Sequence, residues 1–559
     1  MFMQLSGPLI VQSDMTILLD VHAPGAEPAR EALGAFAALE KSPEHVHQYR
    51  INPLSLWNAS AAGMHPEEVI ESLETYTRYE IPRDVPFIIR DTMSRFGALV
   101  LRESTGKAER VSDFLELHCR DEETRTRIIS DAKLAKWLVP QGKIFLLRLV
   151  DRGTVKVELL KRGYPVKDEA PLLEGSALGI ALKFEKPDGT RWAMRPYQEE
   201  AVNAFLGGNK PGYNYGVIVL PCGSGKTIVG MAAMAAIRKK TLIITTNIVA
   251  VHQWRSELLD KTNLEREQIG EYTGAAKEIR PVTIATYQIL SWRPDKESDF
   301  PHFELLRRQD WGLIICDEVH LLPAPVFRVV AEMQAVRRLG LTATLVREDG
   351  REGEVFSLIG PKRYDVPWKI LEKKGFIAEA FCKEIRVPMD DPTRLAYAVA
   401  DRGRKLRIAA ENPLKDDVVR FLLSHHSGES ILIIGQYISQ VSRYAAMLGV
   451  PLITGTTPDS RREELYQAFR RGEIKVLVTS KVANFAIDLP DASVAIQISG
   501  TFGSRQEEAQ RLGRILRPKE QNSFFYSLVS RYSVEEEYAD NRRKFLIEQG
   551  YRYSIEPWE

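Results

Sequence analysis

Apolar residues are distributed along this chain in two textures. Up to about residue 185 they form short runs mixed with helical spacing. Met15–Val21 reads as a strand, while apolar positions three and four apart predict helices over Pro28–Leu39, Pro66–Tyr76 and Asp84–Phe96. Residues 100–185 read as short strands and charged helices, for example Ile144–Val150 and Val155–Leu160, and the Pro and Gly cluster Glu185–Trp192 reads as a linker. Beyond it, continuous β-branched runs recur at 216–220, 241–246, 282–286, 312–316, 431–435 and 476–480, each followed by a helical pattern. Strands without polar alternation are buried on both faces, which predicts parallel sheets covered by helices. The strand series restarts near residue 430. The fold class is therefore α/β: two parallel-sheet domains, roughly 190–370 and 375–559, behind a mixed α+β N-terminal region. No repeat of period 20–50 and no low-complexity stretch interrupts this pattern.

A length of 559 residues predicts three or four domains. With 44% hydrophobic and 27% charged residues, the composition excludes a disordered chain, a collagen and a small disulfide scaffold. The four cysteines, Cys119, Cys222, Cys316 and Cys382, show neither metal-ligand spacing nor a pairing pattern, so a reducing compartment is expected. No apolar run approaches the ~20 residues that span a bilayer. The longest, Thr227–Ile237, ends in Arg238-Lys239-Lys240 and reads as a buried helix. The N-terminus lacks the features of a signal peptide, so a soluble, cytoplasmic protein without membrane partners is expected.

Charge changes the picture less than its distribution does. Lys+Arg 76 against Asp+Glu 75 leaves +1, which is no electrostatic footprint of nucleic-acid binding. Residues 1–100 nevertheless carry 7 basic and 13 acidic side chains, whereas residues 201–559 carry 50 and 45. The acidic first hundred residues favour a regulatory or protein-contact role there. Sequence-independent binding of a nucleic-acid strand needs phosphate contacts rather than a large net charge, so the balance does not exclude it.

The chemistry begins where the run 216–220 meets Pro221-Cys222-Gly223-Ser224-Gly225-Lys226-Thr227 and the apolar helix. Glycines let backbone N–H groups turn toward phosphates, and the helix N-terminus adds its positive end. Lys226 would neutralise phosphate charge and the Thr227 hydroxyl would ligate Mg²⁺. The full phosphate-loop pattern places a glycine where this chain has Leu220. About 90 residues on, the run 312–316 ends in Asp317-Glu318-Val319-His320. Asp317 would hold Mg²⁺, and Glu318 would orient and deprotonate the attacking water. In the second α/β domain, Gln510-Arg511-Leu512-Gly513-Arg514-Ile515-Leu516-Arg517 sets Arg514 and Arg517 on one helix face, as candidates to stabilise charge on a transferring phosphoryl group. ATP hydrolysis with Mg²⁺ follows from this set. Trp57, Trp137, Trp192, Trp254 and Trp311 are assigned no role, since buried tryptophans usually belong to the core.

In order along the chain stand RPYQ (195–198), CGSGKT (222–227), TTNIVAVHQW (245–254), ATYQ (285–288), DEVH (317–320), LTAT (341–344), GQY (435–437), VTSKVANFAIDLP (478–490) and QRLGRILR (510–517). This set resembles the superfamily 2 helicases, which have two RecA-like domains. LTAT followed by Arg347-Glu348-Asp349, with IGEYTG (269–274), is similar to the XPB family. GTFGSRQEEAQRLGRILRPK (500–519), LIVQSDMTILLDV and EKSPEHVHQYRINPLSLWNA (40–59) resemble its bacterial branch.

The resemblance implies roles position by position. Arg195 and Gln198 match the adenine-contacting motif, and Pro221, Cys222, Gly223, Ser224, Gly225, Lys226 and Thr227 the ATP-binding loop. Asp317, Glu318, Gln510, Arg514 and Arg517 match the residues of hydrolysis. Asp488 belongs to the ATP set, although the usual Gly-x-Asp is here Ala486-Ile487-Asp488. His320, Thr342 and Thr344 would couple hydrolysis to domain movement. Thr246, Thr286, Gln436 and Ser480 sit in motifs that face the DNA backbone, and Arg347, Glu348 and Asp349 would engage DNA near the fork. Archaeal members carry a thumb-like insertion in the second motor domain. Here the interval Val387 to Ile431 leaves little room for one, because ENPLKDDVVRFLLS reads as the helix before ILIIG.

The implied domains are 1–100 (acidic, regulatory or partner contact), 101–188 (damage-recognition-like), 189–372 (first RecA-like domain, ATP binding) and 373–559 (second RecA-like domain). The implied function is ATP-dependent 3′–5′ unwinding of DNA in repair, on single strands and duplex junctions, near the nucleoid and with a repair nuclease or other repair protein as partner. Two alternatives stand beside it: a DNA-stimulated duplex translocase or conformational switch with weak unwinding, and a scaffold recruiting partners through its N-terminal domain. DEVH and LTAT with the Arg-Glu-Asp triplet disfavour an RNA helicase.

Overall fold

The computed structural model describes residues 7–559 apart from 42–44, 105–113, 186–188, Pro211, Cys222, 296–299, 323–329, 331–332, 334–335, 344–351, 367–370, 372–379, 481–491, 501–522 and 549–551. Two compact units are present. The first comprises Met1–Ala38, Tyr49–Leu220 and Gly225–Asp365, and the second comprises Leu39–Gln48, Pro221–Ser224 and Val366–Glu559.

The uninterrupted apolar runs become parallel strands, as their pattern predicts. In the first unit these are β10 (Tyr215–Val219), β11 (Thr241–Thr245), β12 (Ile269–Tyr272), β13 (Val282–Thr286), β14 (Leu313–Asp317), β15 (Arg337–Thr342) and β16 (Lys362–Asp365). They form a seven-stranded sheet in the order β12-β13-β11-β14-β15-β10-β16, with every pair parallel. All residues of β10, β11 and β13 are buried. The helix Lys226–Ile237 that follows β10 is apolar on nearly every side, and Val229 to Met234 are buried. Parallel strands all end at the same edge, so β10, β14 and β15 deliver their C-terminal residues to one side of the sheet.

The second unit contains β17 (Ala380–Val387), β18 (Ile431–Gly435), β19 (Leu452–Ile453), β20 (Val476–Ser480), β21 (Val494–Gln497), β22 (Ser523–Ser530) and β23 (Arg552–Pro557). Its sheet runs β19-β20-β18-β21-β22-β17-β23, again parallel throughout. Counted from the first strand of each domain, both sheets follow the same order, 3-4-2-5-6-1-7. The two parallel-sheet domains are therefore one topology used twice. Its period far exceeds that of short sequence repeats, and its two copies share no phosphate loop: β17 leads into Pro388-Met389-Asp390 instead. Between β17 and β18 lie three helices, Asp391–Val399, Arg402–Ala410 and Lys415–His425. The third is the helix expected before ILIIG, and the first two fill the interval that was expected to be short of room for a thumb.

The N-terminal region is mixed α+β, as expected. β1 (Leu9–Val11), β2 (Thr16–Asp20), β3 (Ala38–Lys41) and β4 (Val46–Arg50) form one sheet in the order β1-β2-β4-β3. β5 (Leu99–Glu103), β6 (Phe114–Cys119), β7 (Val139–Gln141), β8 (Ile144–Arg148) and β9 (Val166–Asp168) form another, ordered β7-β8-β6-β5-β9. The helices predicted at Pro66–Tyr76 and Asp84–Phe96 are present as Pro66–Tyr76 and Asp84–Ser94.

One local expectation fails. The helix expected over Pro28–Leu39 is Ala26–Leu33, because the chain turns at Gly34 and enters β3 at Ala38. Among the short strands and charged helices expected over 100–185, Val155–Leu160 lies in the helix Arg152–Lys161. Its alternation of valines with Lys156 and Glu158 mimics a half-exposed strand. In the fold Val155 and Leu159 share a buried face one helical turn apart, and Lys156 and Glu158 are buried with them. Their charges are met by partners: Lys156 Nζ lies 2.9 Å from Asp168, and Glu158 pairs with Lys133 at 2.8 Å and Arg162 at 2.9 Å.

Candidate active site

The phosphate loop, the acidic pair and a threonine arrive together because β14, β15 and β10 are neighbours. Asp317 closes β14 and pairs in register with Leu341 of β15, while Thr342 of β15 pairs with Val219 of β10. Just past β10, Leu220 N–H donates to the Thr342 carbonyl at 2.9 Å, and the chain then turns into the loop. Gly225 caps the following helix with φ 84°, a conformation that favours glycine. A Cβ at Gly225 would also lie 2.5 Å from Gln198 Nε2, so the loop and the Gln198 amide approach closely. Gln198 is itself fixed in the helix Pro196–Leu206, where its Oε1 accepts the Arg195 backbone N–H at 2.9 Å. Thr227 is the second residue of the helix Lys226–Ile237.

Four polar side chains then connect in sequence. Lys226 Nζ lies 3.3 Å from Glu318 Oε1. Glu318 Oε2 lies 3.5 Å from His320 Nδ1, and the same nitrogen is hydrogen-bonded to Thr342 Oγ1 at 2.6 Å. Glu318 adopts φ 51°, a left-handed conformation rare for a side-chain-bearing residue and frequent where geometry serves a site. Burial alone would push the Glu318 carboxyl up, but Lys226 and His320 outweigh it and hold it below the usual carboxylate range. Asp317 goes the other way. Burial, then the adjacent charge of Glu318, push it up to about 6, against a hydrogen bond from Trp254 and the charge of Lys226. An anionic Glu318 beside a Lys fits a residue that orients and accepts from an attacking water, and a buried carboxylate whose ionisation is resisted fits a hard-cation ligand. The Asp317 carboxylate and Thr227 hydroxyl are oxygen donors of the kind Mg²⁺ takes alongside phosphate oxygens.

Trp254 was assigned no role from sequence, yet it touches this site. Its Nε1–H donates to Asp317 Oδ2 at 2.8 Å, while the ring is buried to 1% exposure. The Asp317 backbone is held as well: its carbonyl accepts the Tyr287 hydroxyl at 2.8 Å. The signal available in sequence was the apolar face Val251, Trp254, Leu258, which pointed to the core and was correct as far as burial goes. A buried indole N–H needs an acceptor, and only the fold shows which one. The remaining tryptophans of the described core, Trp57 and Trp311, donate instead to backbone carbonyls of Thr92 and Leu306.

The residues matched to DNA-facing motifs occupy equivalent places in the two sheets. Thr286 ends β13, opposite Thr245 of β11, with Thr246 next in the chain. Gly435 ends β18 opposite Ser480 of β20, with Gln436 next. The Thr286 hydroxyl accepts the Ile289 N–H and caps a helical turn, and Thr286 is buried. Gln436 N–H donates to Ser499 Oγ at 2.8 Å. The Ser480 hydroxyl and the Gln436 amide oxygen meet no hydrogen-bond partner among the described residues. Cys222, Thr344, Arg347, Glu348, Asp349, Asp488, Gln510, Arg514 and Arg517 lie outside the described residues.

A phosphate loop beside paired strand-end carboxylates, in a sheet whose topology is repeated in a second domain, defines a two-domain nucleotide-hydrolysing motor of the helicase type. Comparison with known proteins narrows the class. The family described as ERCC3/RAD25/XPB C-terminal helicase matches residues 371–557, and that described as type III restriction enzyme, res subunit, matches residues 191–347. A helicase conserved C-terminal domain family matches residues 9–142, which here hold β1 to β7 of the two N-terminal sheets. A protein of Kineococcus radiotolerans named DNA 3′-5′ helicase XPB is 52% identical, covering 98% of this chain and 96% of the relative. One of the same name from Mycobacterium tuberculosis is 51% identical over 98% and 97%. A Saccharomyces cerevisiae relative named general transcription and DNA repair factor IIH helicase/translocase subunit XPB/SSL2 is 32% identical, covering 98% of this chain and 72% of its own. The chain belongs to the XPB family of DNA helicases.

Among the described residues, no helix is long and apolar enough to cross a membrane, and Cys119, Cys316 and Cys382 are free thiols.

Proposed function

We propose that the protein is an ATP-dependent 3′–5′ DNA helicase that couples hydrolysis to movement along DNA and strand separation in repair. The observation that carries this is the continuous polar chain from Lys226 through Glu318 and His320 to Thr342, because it ties the phosphate site to the neighbouring strand end. Lys226 neutralises the phosphates, and the loop N–H groups orient them. Glu318 positions a water against the γ-phosphorus and accepts its proton, as the bond to the β,γ-bridging oxygen breaks, ADP leaves with the electron pair and the γ-phosphoryl group becomes inorganic phosphate. Asp317 and Thr227 are the residues that would hold Mg²⁺, which when bound neutralises phosphate charge. Arg195 and Gln198 are assigned to the adenine, Asp488 to the nucleotide, and Gln510, Arg514 and Arg517 to charge on the transferring phosphoryl group.

His320, Thr342 and Thr344 are assigned to coupling. Loss of the γ-phosphate changes what Glu318 faces, and the 2.6 Å contact passes this to the end of β15. Thr246, Thr286, Gln436 and Ser480 are assigned to the DNA backbone, which suits the strand-end placement of both pairs, and Arg347, Glu348 and Asp349 to the fork. We assign residues 1–100 to partner contact, 101–188 to a damage-recognition-like role, 189–372 to ATP binding and 373–559 to the second motor domain. A cytoplasmic, nucleoid-associated protein working with a repair nuclease or another repair protein fits these roles.

The test is strand displacement on 3′-tailed, 5′-tailed and blunt duplexes, with ATP turnover measured in parallel. Only the 3′-tailed duplex should separate, and Lys226→Ala should abolish both turnover and separation. Unwinding that survives Lys226→Ala would falsify the proposal. DNA-stimulated turnover without separation of any duplex would make the protein a duplex translocase.

A further inference from the structure

At the edge of the first motor sheet opposite the phosphate loop lies a cavity of about 400 Å³, within the size range of small-molecule sites. Tyr215, the first residue of β10, and Arg363, in β16, form part of its wall. Strands here are parallel, so this edge is remote from the ends of β10 and β14 that carry the ATP chemistry. Four cationic side chains line the cavity, Arg120, Lys156, Lys167 and Arg363, and no carboxylate does. Two of the four are balanced elsewhere: Lys156 by Asp168 at 2.9 Å, and Lys167 by Glu169 at 2.8 Å.

The other two are not. Arg363 donates to the backbone carbonyls of Tyr215 at 3.0 Å, Ala61 at 3.5 Å and Gly212, and stacks over Tyr213 at 4.6 Å. No carboxylate pairs with it among the described residues, and burial pulls its ionisation down from the ordinary guanidinium value. Arg120 is exposed at the rim and likewise meets no carboxylate among the described residues. A guanidinium removed from water and held only by carbonyls and ring faces is a cation lacking a counterion. Guanidinium groups match phosphate oxygens in geometry and charge.

We propose that this cavity is a second phosphate-binding site, separate from the ATP site, which takes the phosphoryl group of a small phosphate compound or of a DNA backbone. The two sources are distinguished by titrating the full chain with pyrophosphate and, separately, with duplex DNA over a range of salt. Both titrations are made on Lys226→Ala, to weaken the motor's own phosphate loop, and on the same protein with Arg120→Gln or Arg363→Gln added. For a small phosphate compound, calorimetry finds a pyrophosphate site whose affinity falls tenfold or more with either addition, while duplex affinity stays constant. For a DNA phosphate, duplex affinity falls instead and its salt slope shrinks by about 1 per arginine removed. If Arg363→Gln fails to fold, the exposed Arg120→Gln decides. Unchanged pyrophosphate affinity together with an unchanged duplex salt slope in Arg120→Gln overturns the proposal.

Discussion

Asp317 is a carboxylate whose surroundings resist its ionisation, and the fold compensates with two N–H donors, one of them the Glu318 backbone at 3.0 Å. The Trp254 indole N–H at 2.8 Å is the side-chain donor. Hydrogen bonds to charged groups contribute about 1.5–3 kcal/mol, so Trp254→Phe should lower DNA-stimulated ATP turnover about tenfold or more while circular dichroism stays unchanged. Gly230 supports the same contact from beneath, since a Cβ there would lie 2.5 Å from the Trp254 ring. Replacing a helical glycine by alanine ordinarily stabilises by about 1 kcal/mol. Here Gly230→Ala should lower both stability and turnover, as read by thermal melting and an ATPase assay. Lys226, Asp317 and Glu318 were legible in sequence because strand–loop–helix order dictates their place. Trp254 was not, because a buried tryptophan looks the same whether its N–H meets a backbone carbonyl or the Asp317 carboxylate.

At the scale of elements, strand order does the assembling. The residues from β14 and β15 that flank the loop are far apart in sequence and adjacent only because those strands are neighbours of β10. His320 and Thr342 join two of these ends. Thr342→Val keeps the shape and removes the hydroxyl, so ATP turnover should persist while base pairs separated per ATP fall severalfold. Parallel ATPase and displacement assays measure that ratio. A second junction ties the helix Arg152–Lys161 and β9 to the first motor sheet. Asp168, completely shielded, receives Arg152 at 2.7 Å and Lys156 at 2.9 Å, and its carbonyl accepts the Tyr215 hydroxyl at 2.7 Å.

Burial acts to raise the Asp168 carboxyl, but these two cations overcome it and hold it well below the ordinary value. Its stabilisation is therefore present above the unfolded pKa, about 3.9, and is lost as pH falls through the lower folded value. Asp168→Asn strands the buried cations and should cost about 3–5 kcal/mol at pH 7 in urea unfolding, the difference shrinking below about pH 4. Lys156→Met, which leaves the Arg152–Asp168 pair in place, should cost less. This junction also explains why Glu185–Trp192, expected as a linker, does not separate compact units: the first unit runs through it. Pro and Gly content reports local backbone freedom, and the contacts around Asp168 come from segments on both sides.

For the whole molecule, an almost neutral chain is expected to grip DNA through a limited number of phosphates. The affinity for duplex should therefore fall with salt along a slope of about −0.9 per neutralised phosphate, and measured binding between 50 and 200 mM salt, on the order of that range, counts those contacts. The repeated 3-4-2-5-6-1-7 order places Thr246 with Thr286, and Gln436 with Ser480, at equivalent strand ends although the two domains share neither phosphate loop nor acidic pair. Topology is set by which strands pair, and very different residues satisfy the same pairing.

Sequence by itself determined the α/β class, the six apolar strands, the phosphate loop and the acidic pair. All of these follow from local periodicity and from the fixed order of a strand, a turn and a helix. Only the tertiary structure decided the burial of Lys156 and Glu158, the Trp254–Asp317 bond, the domain-scale duplication and the unbalanced Arg363 beside its cavity. Each of these depends on partners distant in the chain, and burial of a charge or an indole N–H acquires its meaning only from the group that faces it.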